Sequence, residues 1–301
     1  MSLRRPTMRA MDYGLALPNF TDGASREAME AGAEIAERLG WSTVWTTDHI
    51  LVPTADASDY GQVYEAILSL AWIGARYAKV RLGFSVIVIP QRNAVIVAKE
   101  LATLDALTDG RVIAGIGGGW NETEYGNLGV ADRFHVRGAY LEETVALWRH
   151  LWSGSTDPFR GRFHQFDDFA FGPLPPQGDR LPIVMGGRAK PAVERIGRIA
   201  DGYQSSATGP VQYAERVPVI TDAATAAGRP MPWLTARVRV VFGEPSDKAY
   251  AIHGTPERMA DEVRAFAALG VEHLALWFGT TDPGELEVRA ERFAHDVAPL
   301  V

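Results

Sequence analysis

The chain has 301 residues, 47% of them hydrophobic and 22% charged, with a formal net charge of -7, a balance that suits one large globular domain or two small ones. The acidic charge and the lack of a basic tract argue against a nucleic-acid partner, and no run of about 18 apolar residues predicts a membrane span. The absence of cysteine excludes disulfides, thiolate metal sites and a cysteine nucleophile. Residues 1–11 read as a tail with no apolar signal region, with Met8 or Met11 as the natural start after an expression remnant, and a cytoplasmic setting is expected.

From residue 12 onward, short β-branched runs alternate with longer amphipathic ones. A strand at 12–19 precedes a helix at 25–39, with Ser25 as N-cap and Gly40 as its stop. Strand 42–49, helix 64–78, strand 81–89 and helix 94–107 follow. Val97, Leu101 and Leu104 share one face of that last helix. Strand 111–116 runs into a glycine loop, and helix 136–152 carries Leu141, Val145, Trp148 and Trp152 on one stripe. Over about 153–181 the period breaks in favour of proline, glycine and aromatics, which predicts an inserted loop with a small hairpin, acting as a lid. Strand 182–185, helix 191–199, strand 202–206, helix 211–227, strand 234–242, helix 256–269, strand 273–278 and helix 283–297 complete the chain. About eight strands and eight helices predict an α/β fold, a TIM (β/α)8 barrel formed by one domain over 12–301, with the insertion between the fourth helix and the fifth strand.

In such a barrel, chemistry sits at the carboxyl ends of the strands. Asn19, Asp48-His49, Ser85 with Val86, Gly117-Gly118-Gly119, Gly186-Gly187-Arg188 and Ser206 all fall there. The glycines from 115 onward do not make a dinucleotide fingerprint, because Trp120 stands where the third glycine belongs; no Gly-Lys-Ser/Thr follows, so they are not a P-loop either. Asp48-His49 is the leading acid–base pair, against a structural histidine held by its aspartate neighbour. Scattered histidines without His-x-His or His-Glu-x-x-His spacing predict no metal. Ser85 lacks the glycine two residues on that a nucleophile elbow requires. Gly186-Gly187-Arg188 opens a helix bearing Lys190, Arg195 and Arg198, which reads as a phosphate site or as a solvated basic face that Glu194 partly neutralises. Trp120 walls a ligand pocket or caps the core, and Glu122 and Glu124 serve as acids or merely complement a helix dipole.

Four segments, "LALPN", "STVWTTDHILVP", the run from Arg81 to Val130 and "PIVMGGRAKPAVERIGRIADGY", together resemble the luciferase-like monooxygenase superfamily, and within it the branch dependent on the deazaflavin coenzyme F420. The resemblance implies a deazaflavin, or alternatively FMN, across the strand ends. It implies a non-prolyl cis peptide at Ser85-Val86 behind the ring, with the glycine loop and Asn121 beside the ring. Met185, Gly186, Gly187, Arg188 and Ser206 would lie toward the phosphate. It places His49 by the reactive carbon, with Asp48 as its companion. Sugar-phosphate dehydrogenases of the family carry a glutamate just after the glycine loop, where this chain has Trp120. A small apolar or aromatic substrate, in a pocket lined by Asn19 and Trp120, is therefore expected. Three activities follow: F420-dependent hydride transfer first, oxygen-using FMN monooxygenation second, non-catalytic cofactor binding third. A homodimer through outer helices is a family-level expectation.

Overall fold

The computed structural model describes residues 10–247 and 249–301; the expected start at Met8 and all of the tail before residue 10 lie outside them, while Met11 lies within. Eight parallel strands form the barrel: β1 (Asp12–Ala16), β2 (Thr43–Thr46), β3 (Arg81–Phe84), β4 (Val112–Gly117), β5 (Ile183–Met185), β6 (Gly202–Ser206), β7 (Trp233–Phe242) and β8 (His273–Trp277). Each pairs with the next, β7 bonds both β6 and β8, and β8 returns to β1, which closes the ring. The surrounding helices are α1 (Arg26–Arg38), α2 (Ala66–Gly74), α3 (Ala94–Leu107), α4 (Glu122–Asn127), α5 (Arg137–Trp152), α6 (Lys190–Ile199), α7 (Pro210–Ala226), α8 (Pro256–Ala268) and α9 (Pro283–Arg292). The start of α1 is as the sequence predicts: the Ser25 side chain accepts from the Ala28 amide, and Gly40 follows the helix at φ 71°.

Side-chain alternation sorts the strands into two surfaces. Leu15, Leu17, Val44, Leu82, Phe84, Ala114, Ile116, Ile183, Met185, Tyr203, Leu234, Ala236, Val238, Leu274 and Leu276 point outward into the main core beneath the helices. Trp45, Ile113, Val184 and Ala275, with Trp233 against them, fill the barrel's lower interior. There the Trp45 indole donates to His273 Nε2 at 3.0 Å, and His273 Nδ1 meets Asp12 Oδ2 at 2.8 Å. The indole N–H requires Nε2 to be the acceptor, so Nδ1 carries the proton toward Asp12.

Three features depart from the expected pattern. Strand 81–89 breaks after Phe84, and Ile87–Val88 pairs with the end of β4 instead. Within the break, the peptide bond between Ser85 and Val86 is cis, as the resemblance implies. A further strand, Ala251–Gly254, runs parallel to the end of β7 in a stretch read as a connection.

The third departure is the insertion. Its hairpin, Phe159–Arg160 against Gln165–Phe166, is present, but the segment is not built as a lid. Glu143 of α5 accepts the amides of Arg162, Phe163 and His164. Gln177 bonds Asp105 and the Val112 carbonyl, and Phe159, Phe163, Phe166, Phe169 and Phe171 pack onto the outer core. The aromatic side chains that suggested a substrate cover serve to fasten the segment to α3 and α5, because burying them there removes apolar area from water.

Candidate functional site

The carboxyl end of β2 delivers Asp48 and His49 to opposite sides, as successive strand residues must be. Asp48, buried, accepts from the Val88 amide at 3.0 Å and from Arg92 Nη2 at 2.6 Å, so it fastens the broken third strand. Arg92 also reaches Glu65 at 3.0 Å. The expected Asp48–His49 pair is therefore not formed.

His49 instead turns its Nδ1 to Glu124 Oε2 at 3.0 Å, with the carboxylate only 1% exposed. Glu124 stands in the first turn of α4, which Asn121 caps by accepting the Glu124 amide. Its other contacts are the Ile50 amide at 2.7 Å, the Leu51 amide at 3.2 Å and Gln91 Nε2 at 3.0 Å, all donors. Burial pushes the carboxyl pKa up, but the hydrogen bonds from His49, Ile50 and Gln91 outweigh it and hold the group at about 2. An ionised carboxylate only accepts, so His49 Nδ1 carries a proton and Nε2 is the ring nitrogen left clear of the carboxylate.

Aromatic rings surround this imidazole. Tyr60 lies 4.3 Å from it between centroids and Trp120 6.0 Å, nearly perpendicular. Trp120 is 57% exposed, so it stands at the rim and is no core cap. Phe20 continues the arc from Tyr60 to Trp277. Over Phe20 lies the Arg237 guanidinium, 4.9 Å from the ring centre.

The glycines have a more specific reason than was expected of them. A Cβ on Gly117 would sit 2.5 Å from Val86 Cγ2, one on Gly186 3.3 Å from Val86 Cγ1, and one on Gly119 2.7 Å from Val88 Cγ1. Gly117 and Gly186 thus form a slot for Val86, and the surface presented to the mouth at this point is the Val86 bulge. Gly118 backs onto Arg137.

Several expected site residues are committed elsewhere. Asn19 is buried in the wall, where its side chain bonds the backbone of Thr47 in both directions and the Tyr64 carbonyl, so it ties the loops after β1 and β2 together and lines no pocket. Asn121 spends its amide on Asp56 at 2.6 Å. Met185, 1% exposed, faces the helices, since Val184 takes the inward position of β5.

On the rim after β5 and β6, helices α6 and α7 begin at Ala189 and Gly209 without a side-chain cap. Arg188 donates to the Ser206 carbonyl at 2.9 Å, and Arg216 to Tyr203 Oη at 2.7 Å and Thr208 Oγ1 at 3.0 Å. Neither arginine has a carboxylate partner among the described residues. Arg195 and Arg198 are both taken by Glu142, and Lys190 stands 3.9 Å from Glu194, so the helix face itself is neutralised. The sequence reading did not single out Tyr60, Gln91, Arg92, Arg216 or Arg237. The inward position of Arg237 was readable, because Leu234, Ala236 and Val238 fix the opposite parity of β7.

A parallel eight-stranded barrel with a cis-peptide bulge, a carboxylate-held histidine and uncapped helix starts on one rim belongs to the flavin-type class of barrel proteins. The chain is a member of the luciferase-like monooxygenase family, whose model matches residues 11–253. It is similar to F420-dependent glucose-6-phosphate dehydrogenase 1 of Rhodococcus jostii (strain RHA1), 30% identical over 285 residues, 86% of this chain and 82% of that protein. Among solved structures it resembles an F420-dependent secondary alcohol dehydrogenase in complex with an F420–acetone adduct, at TM-score 0.81 and 20% identity over 97% of this chain and 100% of that one. It also resembles the FMN-bound oxygenating constituent of 3,6-diketocamphane monooxygenase from Pseudomonas putida, at TM-score 0.81 and 15% identity over 97% and 99%.

Proposed function

We propose that this oxidoreductase uses coenzyme F420 to move hydride to or from a small apolar or aromatic organic substrate. The observation that carries the reading is the Glu124–His49 pair, which leaves His49 Nε2 open beside Tyr60 and Trp120. The residues present fit a flat ring with a phosphate tail. The Val86 bulge offers a surface for the ring, and Arg188, Arg216 and two uncapped helix starts offer donors and positive charge for the phosphate.

When bound, the deazaflavin supplies the hydride chemistry. His49 holds or releases the matching proton at Nε2, while Glu124 fixes its tautomer and steadies its charged form. Trp120 and Tyr60 crowd water away from the substrate. Trp120, 57% exposed at the rim, presents an indole, which recognises hydrocarbon better than a polyol.

Fluorescence titration with F420 and with FMN tests the cofactor. Tighter F420 binding without oxygen uptake is expected; tighter FMN binding with oxygen consumption would replace this reading by FMN monooxygenation. The proposal includes a cytoplasmic setting, in keeping with the absence of a membrane-crossing helix among the described residues. It also includes a homodimer through outer helices, where Leu68 and Trp72 of α2 and Ile96 of α3 are exposed; sedimentation at two concentrations tests that.

A further inference from the structure

The barrel interior holds polar groups that nothing above uses. Gln204 is 2% exposed, yet neither its Nε2 nor its Oε1 has a hydrogen-bond partner among the described residues. Thr235 Oγ1, directly across the β6–β7 register from it, is also unpartnered. Both face inward, because their neighbours Tyr203, Leu234 and Ala236 face out. Two residues further up β7, about 7 Å nearer the mouth, Arg237 is the next inward side chain. It crosses the barrel to donate to the Ser85 carbonyl on the opposite strand at 3.2 Å, and no carboxylate among the described residues pairs with it. Burial lowers its pKa to about 10, leaving it charged at neutral pH.

An amide buried with both atoms unmet is costly, and the pattern of unmet atoms is specific. Gln204 presents one donor and one acceptor side by side, and Arg237 adds further donors above. A carboxylate would answer the donors but set a negative oxygen against Gln204 Oε1. An imide edge, CO–NH–CO, answers both: its N–H meets Oε1, one carbonyl meets Nε2, and the other lies within the reach of a guanidinium.

We infer that Gln204 and Arg237 form a recognition site for the imide edge of a heterocycle, the pyrimidinedione end of the cofactor ring, with Thr235 beside it. This rests on the proposed cofactor reading and deepens it, since it states which end of the ring is held inside the barrel.

The test uses the intact protein with 5-deazariboflavin and its N3-methyl derivative, which lacks the imide N–H. Wild type should bind the parent at least about 10-fold more tightly, the worth of one well-placed buried hydrogen bond. Gln204→Leu should abolish that discrimination while raising Tm, because it removes two unsatisfied atoms at similar volume. Arg237→Leu should weaken the parent by about 10-fold or more. Benzoate should not compete with the parent. Equal binding of the two ring compounds by wild type, or discrimination kept in Gln204→Leu, overturns the inference while leaving the cofactor reading standing. Competition by benzoate assigns the site to carboxylates and overturns it too. Failure of wild type to bind F420, FMN or either probe overturns both readings together. The wild-type comparison of the two probes decides the matter even if a variant does not fold.

Discussion

Replacing Glu124 with glutamine keeps the shape of the side chain and removes its charge. In the folded protein the carboxyl is held at about 2 against an ordinary 4.5. At about 1.4 kcal/mol per tenfold change in proton affinity, that preference for the ionised form is ~3 kcal/mol. The sign follows from the depressed value: the stabilisation is fully present above the unfolded pKa near 4.5 and disappears as pH falls through about 2. The amide of Glu124→Gln can still accept from Ile50 and Leu51, but its NH2 then faces His49 Nδ1 and Gln91 Nε2, two donors. His49 must shift its proton to Nε2 or lose the contact. The expected result is a Tm lower by roughly 5–10 °C at pH 7, a flatter stability profile between pH 5 and pH 2, and turnover reduced about 100-fold or more, with cofactor affinity within about threefold of wild type. Circular dichroism melts across that pH range, paired with cofactor fluorescence and steady-state rates, measure all three. Wild-type melting and an unchanged pH profile in the variant would refute the claim that this carboxylate holds the imidazole.

Other perturbations probe separate parts. His49→Ala should abolish turnover, a loss of at least about 100-fold, with cofactor binding retained in fluorescence titration; retained turnover removes His49 from proton exchange. Gly117→Ala puts a methyl 2.5 Å from Val86 Cγ2, which should cost about 1–3 kcal/mol in chemical denaturation and weaken cofactor binding by displacing the bulge. Adding Val86→Ala should recover most of the stability but not the binding. His273→Ala, at the far end of the barrel, should lower stability by about 2–3 kcal/mol by stranding the Trp45 indole and leave cofactor affinity unchanged. It should also weaken acid sensitivity: burial raises the Asp12 pKa, but the bonds from His273 and Ser42 lower it overall, so the stability they provide fades as pH falls below the ordinary 3.8.

The barrel was legible because alternating helical and strand periods leave few closed topologies for eight parallel strands. Within the site, sequence proximity misled where geometry is decided by parity. Asp48 and His49 are neighbours in the chain and so cannot be neighbours on one face of a strand end. Met185 faces the helices for the same reason, a parity that Val184 would have revealed. The glycine at 117 announced a close approach without naming what approaches; the answer, Val86, lies some thirty residues upstream. Glu124 looked like any early-helix acid, since nothing local says that its helix will turn it toward residue 49. An aromatic-rich loop of this length reads equally well as a cover or as a patch glued to the outside, and only the partners of Glu143 and Asp105 distinguish the two.

That glued segment has an evolutionary consequence. With 153–181 clamped to the outer flank of α3 and α5, this segment need not move for a ligand to reach the cup, and its sequence is released from the demands of the site. Grafting the corresponding stretch from another member of the family should therefore change heat tolerance or self-association and carry over little of the donor's choice of substrate.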